Sequence, residues 1–227
     1  MDVHPRRALL RGVLLGTAGV ALNACTDAPS AAPSRPAPTG ASRSGPAPSS
    51  PASSAVLLAY FSRAGENYFN GGRTRLTVGN TQVVADMITR LVGCEVHRIE
   101  AAEPYSDDYD PTVARNVREQ QANARPGIAN PLPSIGRYTT ILLGSPIWNV
   151  RAPMIMTAFA EGFDFTGKTV HPLTTYAVSG LGTTERDYAA SCRGATLGEG
   201  LAVRGEEAGD AEPAVTAWLR RIGLLAP

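Results

Sequence analysis

The 227-residue sequence predicts an α/β fold, a doubly wound five-stranded parallel sheet with helices on both faces. Three observations predict it. The uninterrupted apolar runs Ala55 to Phe61 and Tyr138 to Gly144 read as strands covered on both sides. Segments with apolar residues at helical spacing alternate with the strand-like runs along the chain. Each parallel crossover then needs a covering helix of fixed hand.

Ala55 to Phe61 is the first strand. After a long loop, Val83, Val84, Met87, Ile88, Leu91 and Val92 fall on one helical stripe, with Asn80 or Thr81 as cap and Gly93 as stop. Cys94 to Ile99 alternates and forms strand two, Pro111 to Ala124 is a polar helix, and Tyr138 to Gly144 is strand three. Pro153 opens a short helix carrying Met154, Ile155, Ala158 and Phe159. Leu173 to Val178 is strand four, Thr184 to Cys192 a helix, and Gly200 to Val203 the fifth strand. In the last helix, opened by Pro213, residues Val215, Trp218, Leu219 and Ile222 make the core-facing stripe.

The N-terminus has a different character. Arg6-Arg7 precedes Leu9-Leu10-Arg11 and a short apolar run from Gly12 to Leu22, the layout of a secretory signal of twin-arginine type over residues 1–24. Leu22-Asn23-Ala24-Cys25 resembles a bacterial lipobox, which makes Cys25 the expected site of lipidation. Thr26 to Ser54 is almost wholly Pro, Ser, Ala, Gly and Thr, with no Leu, Ile, Val or aromatic residue. Such a segment has nothing to bury against its ordering entropy, so residues 25–54 are expected to be a lipid-anchored, disordered tether. It would span roughly 30 Å as a coil. The folded domain is expected over 55–227, outside the cell membrane.

Composition excludes several functions. Twenty-one basic and 20 acidic residues give a formal charge of +1, and loss of residues 1–24 leaves −1, so there is no electrostatic footprint for nucleic acid. Cys25, Cys94 and Cys192 are too scattered for a disulfide framework or a zinc site. No GxSxG occurs, and His97 and His171 lack the neighbours of a catalytic or metal cluster, so both read as structural.

Ligands of doubly wound sheets lie beyond the carboxyl ends of the strands, so the loops after strands one, three and four carry the site. After strand one come Ser62 and Arg63, an insertion from Ala64 to Val78, and Gly79-Asn80-Thr81. Ser62, Asn80 and Thr81 form either a phosphate cradle at a helix N-terminus or a plain cap, and this loop alone favours neither. Arg63 reads as pointing to water ahead of neutralising a phosphate, and Arg151 as solvated. After strand three, Ser145-Pro146-Ile147-Trp148-Asn149 places an indole where no core is expected, and a stacked heteroaromatic ring would cover it. After strand four, Ser179-Gly180-Leu181-Gly182 lets backbone approach a ligand closely, although the dinucleotide fingerprint lacks its third glycine.

These three loops, in this order on such a sheet, resemble a flavodoxin. More closely, SRAGENY, VGNTQVVA, EPYSDDYDPTVARNVREQQANARPGI, GSPIWNVRAPM, FDFTGKTV and SGLGTT resemble the flavodoxin-like domains of bacterial hypothetical proteins and lipoproteins, over almost all of residues 55–227. The resemblance implies strand order 2-1-3-4-5 and FMN as cofactor. It implies phosphate at Ser62, Asn80 and Thr81 with Arg63 and Gly79 beside them. It places the isoalloxazine between Pro146 to Asn149 and Ser179 to Gly182, with Trp148 against the ring and Ser145 beside the first loop. Cys94 and Cys192 lie apart in that order, so no disulfide is expected.

Three departures stand out: the Ala64 to Val78 insertion, a near-neutral chain where many flavodoxins are acidic, and a missing second ring-stacking aromatic in SGLGTT. Tyr68 or Phe69 could replace that aromatic, or the face could be open to substrate. Tyr105, Tyr109, Arg115 and Glu119 read as a packed surface module. The expected function is electron transfer by bound FMN outside the membrane to an unidentified redox partner. The alternatives are an FMN-dependent NAD(P)H or quinone reductase, and a binding lipoprotein that has lost flavin.

Overall fold

The computed structural model describes residues 55–226. The expected signal, tether and lipidation site at Cys25 lie outside the described residues. The strands are β1 (Val56–Tyr60), β2 (Gly65–Phe69), β3 (Gly72–Leu76), β4 (Glu95–Arg98), β5 (Thr140–Pro146), β6 (Thr169–Tyr176), β7 (Thr196–Leu197) and β8 (Leu201–Arg204). The helices are α1 (Asn80–Leu91), α2 (Tyr109–Gln121), α3 (Met154–Glu161), α4 (Thr184–Ser191) and α5 (Glu212–Arg221), and a 3-10 turn (Gly205–Asp210) precedes the last.

The main sheet is parallel throughout and runs β4-β1-β5-β6, with β7 and β8 both on the far side of β6. This is the expected 2-1-3-4-5 order with the fifth position broken in two. Pro172 explains the break. The Val170 carbonyl accepts from Gly198 N–H, so by alternation Pro172 turns its missing N–H toward the same edge. Pairing there stops at Leu197 and resumes at Leu201. The bulged carbonyl of Glu199 instead accepts from Trp218 Nε1 at 3.1 Å and lies 3.0 Å from His171 Nδ1. The fourth strand therefore starts at Thr169, four residues ahead of the expected Leu173.

Alternation along β1 accounts for its unbroken apolar run. Leu57 and Ala59 join a core with Ile155, Phe159 and Tyr188 of α3 and α4, while Leu58 and Tyr60 join another with Val84, Ile88, Val215 and Trp218 of α1 and α5. Each fully buried leucine contributes about 1.5–3 kcal/mol. Cys192 belongs to the first core and Cys94 packs against the second, on opposite faces of the sheet.

The Ala64 to Val78 insertion, expected as a loop, is an antiparallel hairpin of β2 and β3. Asn70 and Gly71 at its tip have φ of 47° and 84°, the two positive values of a type I′ turn. The Asn-Gly pair was the legible sign. The hairpin is lashed to the start of α2: Glu66 N–H donates to Asp107 O, Tyr109 N–H to Glu66 Oε2, and Arg73 forks onto Asp110 at 2.7 and 3.0 Å. Among the described residues, no helix is long and apolar enough to cross a membrane, and no group of His, Cys, Asp and Glu could hold a metal.

Candidate functional site

The first wall forms where β1 passes into α1. Ser62 is buried, and its Oγ accepts the Gln82 N–H at 3.1 Å, capping α1 from the end of the strand. Gly79 makes this approach possible, because a Cβ there would fall against Ser62 Oγ and within 2.5 Å of Arg63 O. Thr81 is also buried, and its Oγ1 shares a 2.7 Å hydrogen bond with Thr175 Oγ1 of β6. Both hydroxyls thus hold α1 in place. The amides of Asn80 and Thr81 open the helix, have no carbonyl four residues back, and carry the positive end of its dipole.

Arg63 does not point to water. Its guanidinium folds back onto the carbonyls of Ser106, at 2.8 Å, and Glu66, anchoring the hairpin. Burial pulls its pKa down, with the Asp107 and Glu66 carboxylates opposing that shift.

The second wall is the loop after β5. Trp148 N–H donates to Arg151 O at 2.8 Å around a tight turn whose Asn149 and Val150 have φ of 51° and 64°. Gln120 of α2 pins this turn, donating to Trp148 O and accepting from Asn149 Nδ2, both at 3.0 Å. The indole is not the isolated exposed ring expected from sequence. It packs edge-on against Phe61 and Tyr105, with centroids 5.7 and 5.0 Å away. Tyr105 is fixed in turn by its bond to Glu119 Oε2 and by the Arg115 guanidinium 3.9 Å above its ring. Burial, reinforced by the Glu119 bond, raises the Tyr105 hydroxyl's pKa. Tyr105, Arg115 and Glu119 of the expected surface module therefore back Trp148, whereas Tyr109 lines the cavity beneath Arg73. Arg151 is likewise paired rather than solvated, 3.1 Å from Asp187.

The glycine loop is the third wall. Gly182 presses on Val150, and Thr183 N–H donates to Val150 O at 2.8 Å, joining the two loops. Gly180 O accepts from Thr174 Oγ1, and Leu181 packs over Gly200.

Between these walls lies a cavity of about 570 Å³. Of the residues singled out in the sequence, Ser62, Arg63, Asn80, Thr81, Pro146, Ile147, Trp148, Asn149 and Ser179 line it. Gly79, Ser145, Gly180, Leu181 and Gly182 stand behind this lining: Ser145 is fully buried in β5, and the glycines set backbone spacing. Tyr68 reaches the cavity from the hairpin, whereas Phe69 does not. Sequence reading missed Thr175, Glu206, and Val113 and Val117 of α2. The two valines, four apart on an otherwise polar helix, were visible; Glu206 carried no signal. Its Oε1 accepts the Asn70 N–H at 2.9 Å, closing the hairpin tip over one end of the cavity. Although burial opposes it, the Asn70 and Glu206 amides and Arg204 hold the Glu206 carboxyl below its ordinary pKa.

A parallel doubly wound sheet with a cavity across the carboxyl ends of its central strands, bounded by a helix N-terminus and an indole, defines the class of cofactor-binding α/β proteins. The family model described as Flavodoxin matches residues 72–222, more than half of the chain. The chain belongs to the flavodoxin family. The match begins within the hairpin, so it does not include β1.

Among solved structures, a candidate flavoprotein of Bacteroides eggerthii DSM 20697 is 29% identical over 74% of this chain and 96% of its own, with a TM-score of 0.58. One of Bacteroides uniformis ATCC 8492 is 26% identical over 73% and 97%, with a TM-score of 0.54. A flavoprotein of Lactobacillus acidophilus NCFM, crystallised with FMN, is 18% identical over 70% and 97%, with a TM-score of 0.44. No curated protein matches the sequence significantly.

Proposed function

We propose that this protein binds FMN in the cavity and transfers electrons. One observation carries the reading: a helix N-terminus with free first-turn amides and an indole held on edge open into the same cavity. The Asn80 and Thr81 amides would hold the phosphate, with Ser62 and Thr81 fixing the helix that presents them. The isoalloxazine would lie in the slot from Pro146 to Asn149, facing Ser179, with Trp148 against it. Phe61, Tyr105 and Gln120 keep Trp148 and its turn from collapsing into that slot. FMN itself supplies the redox chemistry, accepting and releasing electrons singly or in pairs. The chain orients it and shields it from water. The likeness to the two Bacteroides proteins supports the same reading.

The test is an absorbance spectrum of the purified protein supplied with FMN, followed by stepwise anaerobic reduction. One flavin per chain, with a long-lived one-electron-reduced form, is the result expected of a carrier. Direct two-electron reduction would point to a reductase, and absence of bound flavin would overturn the reading. Trp148→Ala is expected to weaken FMN binding by about 1–3 kcal/mol, the scale of a lost stacked aromatic. Unchanged affinity in a fluorescence titration would remove Trp148 from the site.

We also propose that the protein works outside the membrane on a lipid anchor at Cys25, a reading supported by the Arg6-Arg7 leader and the lipobox-like segment before that residue. Cys25→Ala is expected to move it from the membrane fraction to the soluble fraction of cells. Retention of the variant in the membrane would count against lipidation.

A further inference from the structure

The hairpin of β2 and β3 is attached at two places, and these lie on opposite faces of the main sheet. Its base is held on the side of α2, whose Glu119 bonds Tyr105 of the core shared with α3 and α4. Its tip reaches the 3-10 turn, whose Ala208 belongs to the other core, with α1 and α5. The hairpin therefore crosses the carboxyl edge of the sheet as a strap, and its Asn67 and Tyr68 line the cavity beneath.

The two attachments are unequal. At the base, Arg63 donates to the Ser106 carbonyl, Glu66 donates to Asp107 and accepts the Tyr109 N–H, and Arg73 and Arg75 meet Asp110 and Asp108. At the tip, the one hydrogen bond to the 3-10 turn among the described residues runs from Asn70 N–H to Glu206 Oε1, at 2.9 Å. Packing adds little there. Tyr68 and Phe69 remain 37% and 40% exposed, and nothing lies within 4 Å of a would-be Cβ on Gly71. A segment with few buried apolar contacts opens locally at small cost, whereas a base with this many partners stays in place.

The acceptor at the tip makes release easier still. The Glu206 side chain is 9% exposed and its buried Oε2 has no hydrogen-bond partner, while Arg204 Nε stands 3.9 Å away. With the tip down, the carboxylate gains a charge-assisted bond to Asn70 but leaves Oε2 dry. Raising the tip loses that bond and lets water reach Oε2, so the two positions lie close in free energy. The clasp also stands beside the start of α1, since a Cβ on Gly205 would fall 2.5 Å from Asn80 Nδ2.

We propose that the hairpin is the gate through which FMN enters and leaves, swinging about its α2-bound base, and that the Glu206 to Asn70 clasp sets how often it opens. The proposal rests on the FMN reading, which seats the phosphate on the Asn80 and Thr81 amides under the strap. Glu206 then governs the rate of cofactor exchange and not its affinity.

The test compares entry and release of FMN in the full-length chain. Entry into the flavin-free protein is followed by quenching of FMN fluorescence in stopped flow, and release by chasing bound radiolabelled FMN with unlabelled FMN. A gate scales both rate constants and leaves their ratio alone, because the same opening precedes entry and exit. Glu206→Ala is expected to raise both rate constants about tenfold, the scale of one hydrogen bond to a charged group, with Kd within about threefold. Glu206→Gln keeps a neutral acceptor for the Asn70 N–H and is expected to raise both by a smaller factor. Hydrogen exchange at the Asn70 amide should quicken with the rates, while the Glu66 amide at the base stays protected.

Faster release with unchanged entry would make Glu206 a contact of the flavin and overturn the gate. Faster entry with slower release in the glutamine variant would reduce Glu206 to a charge that repels the phosphate, and unchanged rates in the alanine variant would place the route elsewhere. Each of these leaves FMN binding intact. A protein that takes up no flavin would instead show that the FMN reading had failed, and the gate with it.

Discussion

Gly182→Ala is expected to destabilise the protein by about 2–4 kcal/mol and to loosen the wall of the cavity. Gly182 has φ of 54°, and a Cβ would come within 2.8 Å of the Val150 carbonyl carbon and closer still to its oxygen. The methyl must push the glycine loop off the tryptophan loop, which breaks the Thr183 N–H to Val150 O bond. Gly180 is the internal control. Its φ of 58° is equally left-handed, but nothing lies within 4 Å of its would-be Cβ. Gly180→Ala should then show only the backbone term, about 1–2 kcal/mol. Urea denaturation separates the two. Equal losses would mean that the close approach to Val150 contributes nothing.

Gly79→Ala is expected to lower FMN affinity at least a hundredfold, about 3 kcal/mol. Here the backbone is ordinary, with φ of −70°, so the whole effect is steric. A Cβ would come within 2.7 Å of the Arg63 carbonyl carbon and against Ser62 Oγ. The helix start must move away from the end of β1, taking the Asn80 and Thr81 amides with it and breaking the Ser62 cap of Gln82. Riboflavin, which lacks the phosphate, reports on where the loss arises. Fluorescence titration should show the wild-type preference for FMN over riboflavin erased in the variant. A preference kept intact would place the phosphate elsewhere.

Both predictions concern glycines that do not line the cavity, and this marks how far the site was legible. Residue type and spacing picked out three loops, and nine of the fourteen residues named in them face the cavity. The other five act through spacing, which a sequence shows only as a glycine or a small residue in a turn. Arg63 and Trp148 illustrate the same limit. Whether a loop arginine meets water or a carbonyl depends on the Ser106 carbonyl 43 positions away, and whether an indole is exposed depends on Tyr105 from another loop. The hairpin was a different matter. The Asn70-Gly71 pair was present in the sequence, and the turn type follows from its local chemistry.

The sequence by itself determined the α/β class, the alternation of the main sheet's strands with helices and the three site-bearing loops, because periodicity and turn chemistry act between near neighbours; the motifs in those loops carried the resemblance to flavodoxins. Tertiary structure alone decided that Pro172 splits the fifth strand position, that Glu206 fastens the hairpin, and that Val113 and Val117 line one cavity with Val150 and Val178. Each of these joins residues tens of positions apart. Such contacts form only when two cores close on opposite faces of one sheet, and no local propensity encodes which loops then meet at its edge.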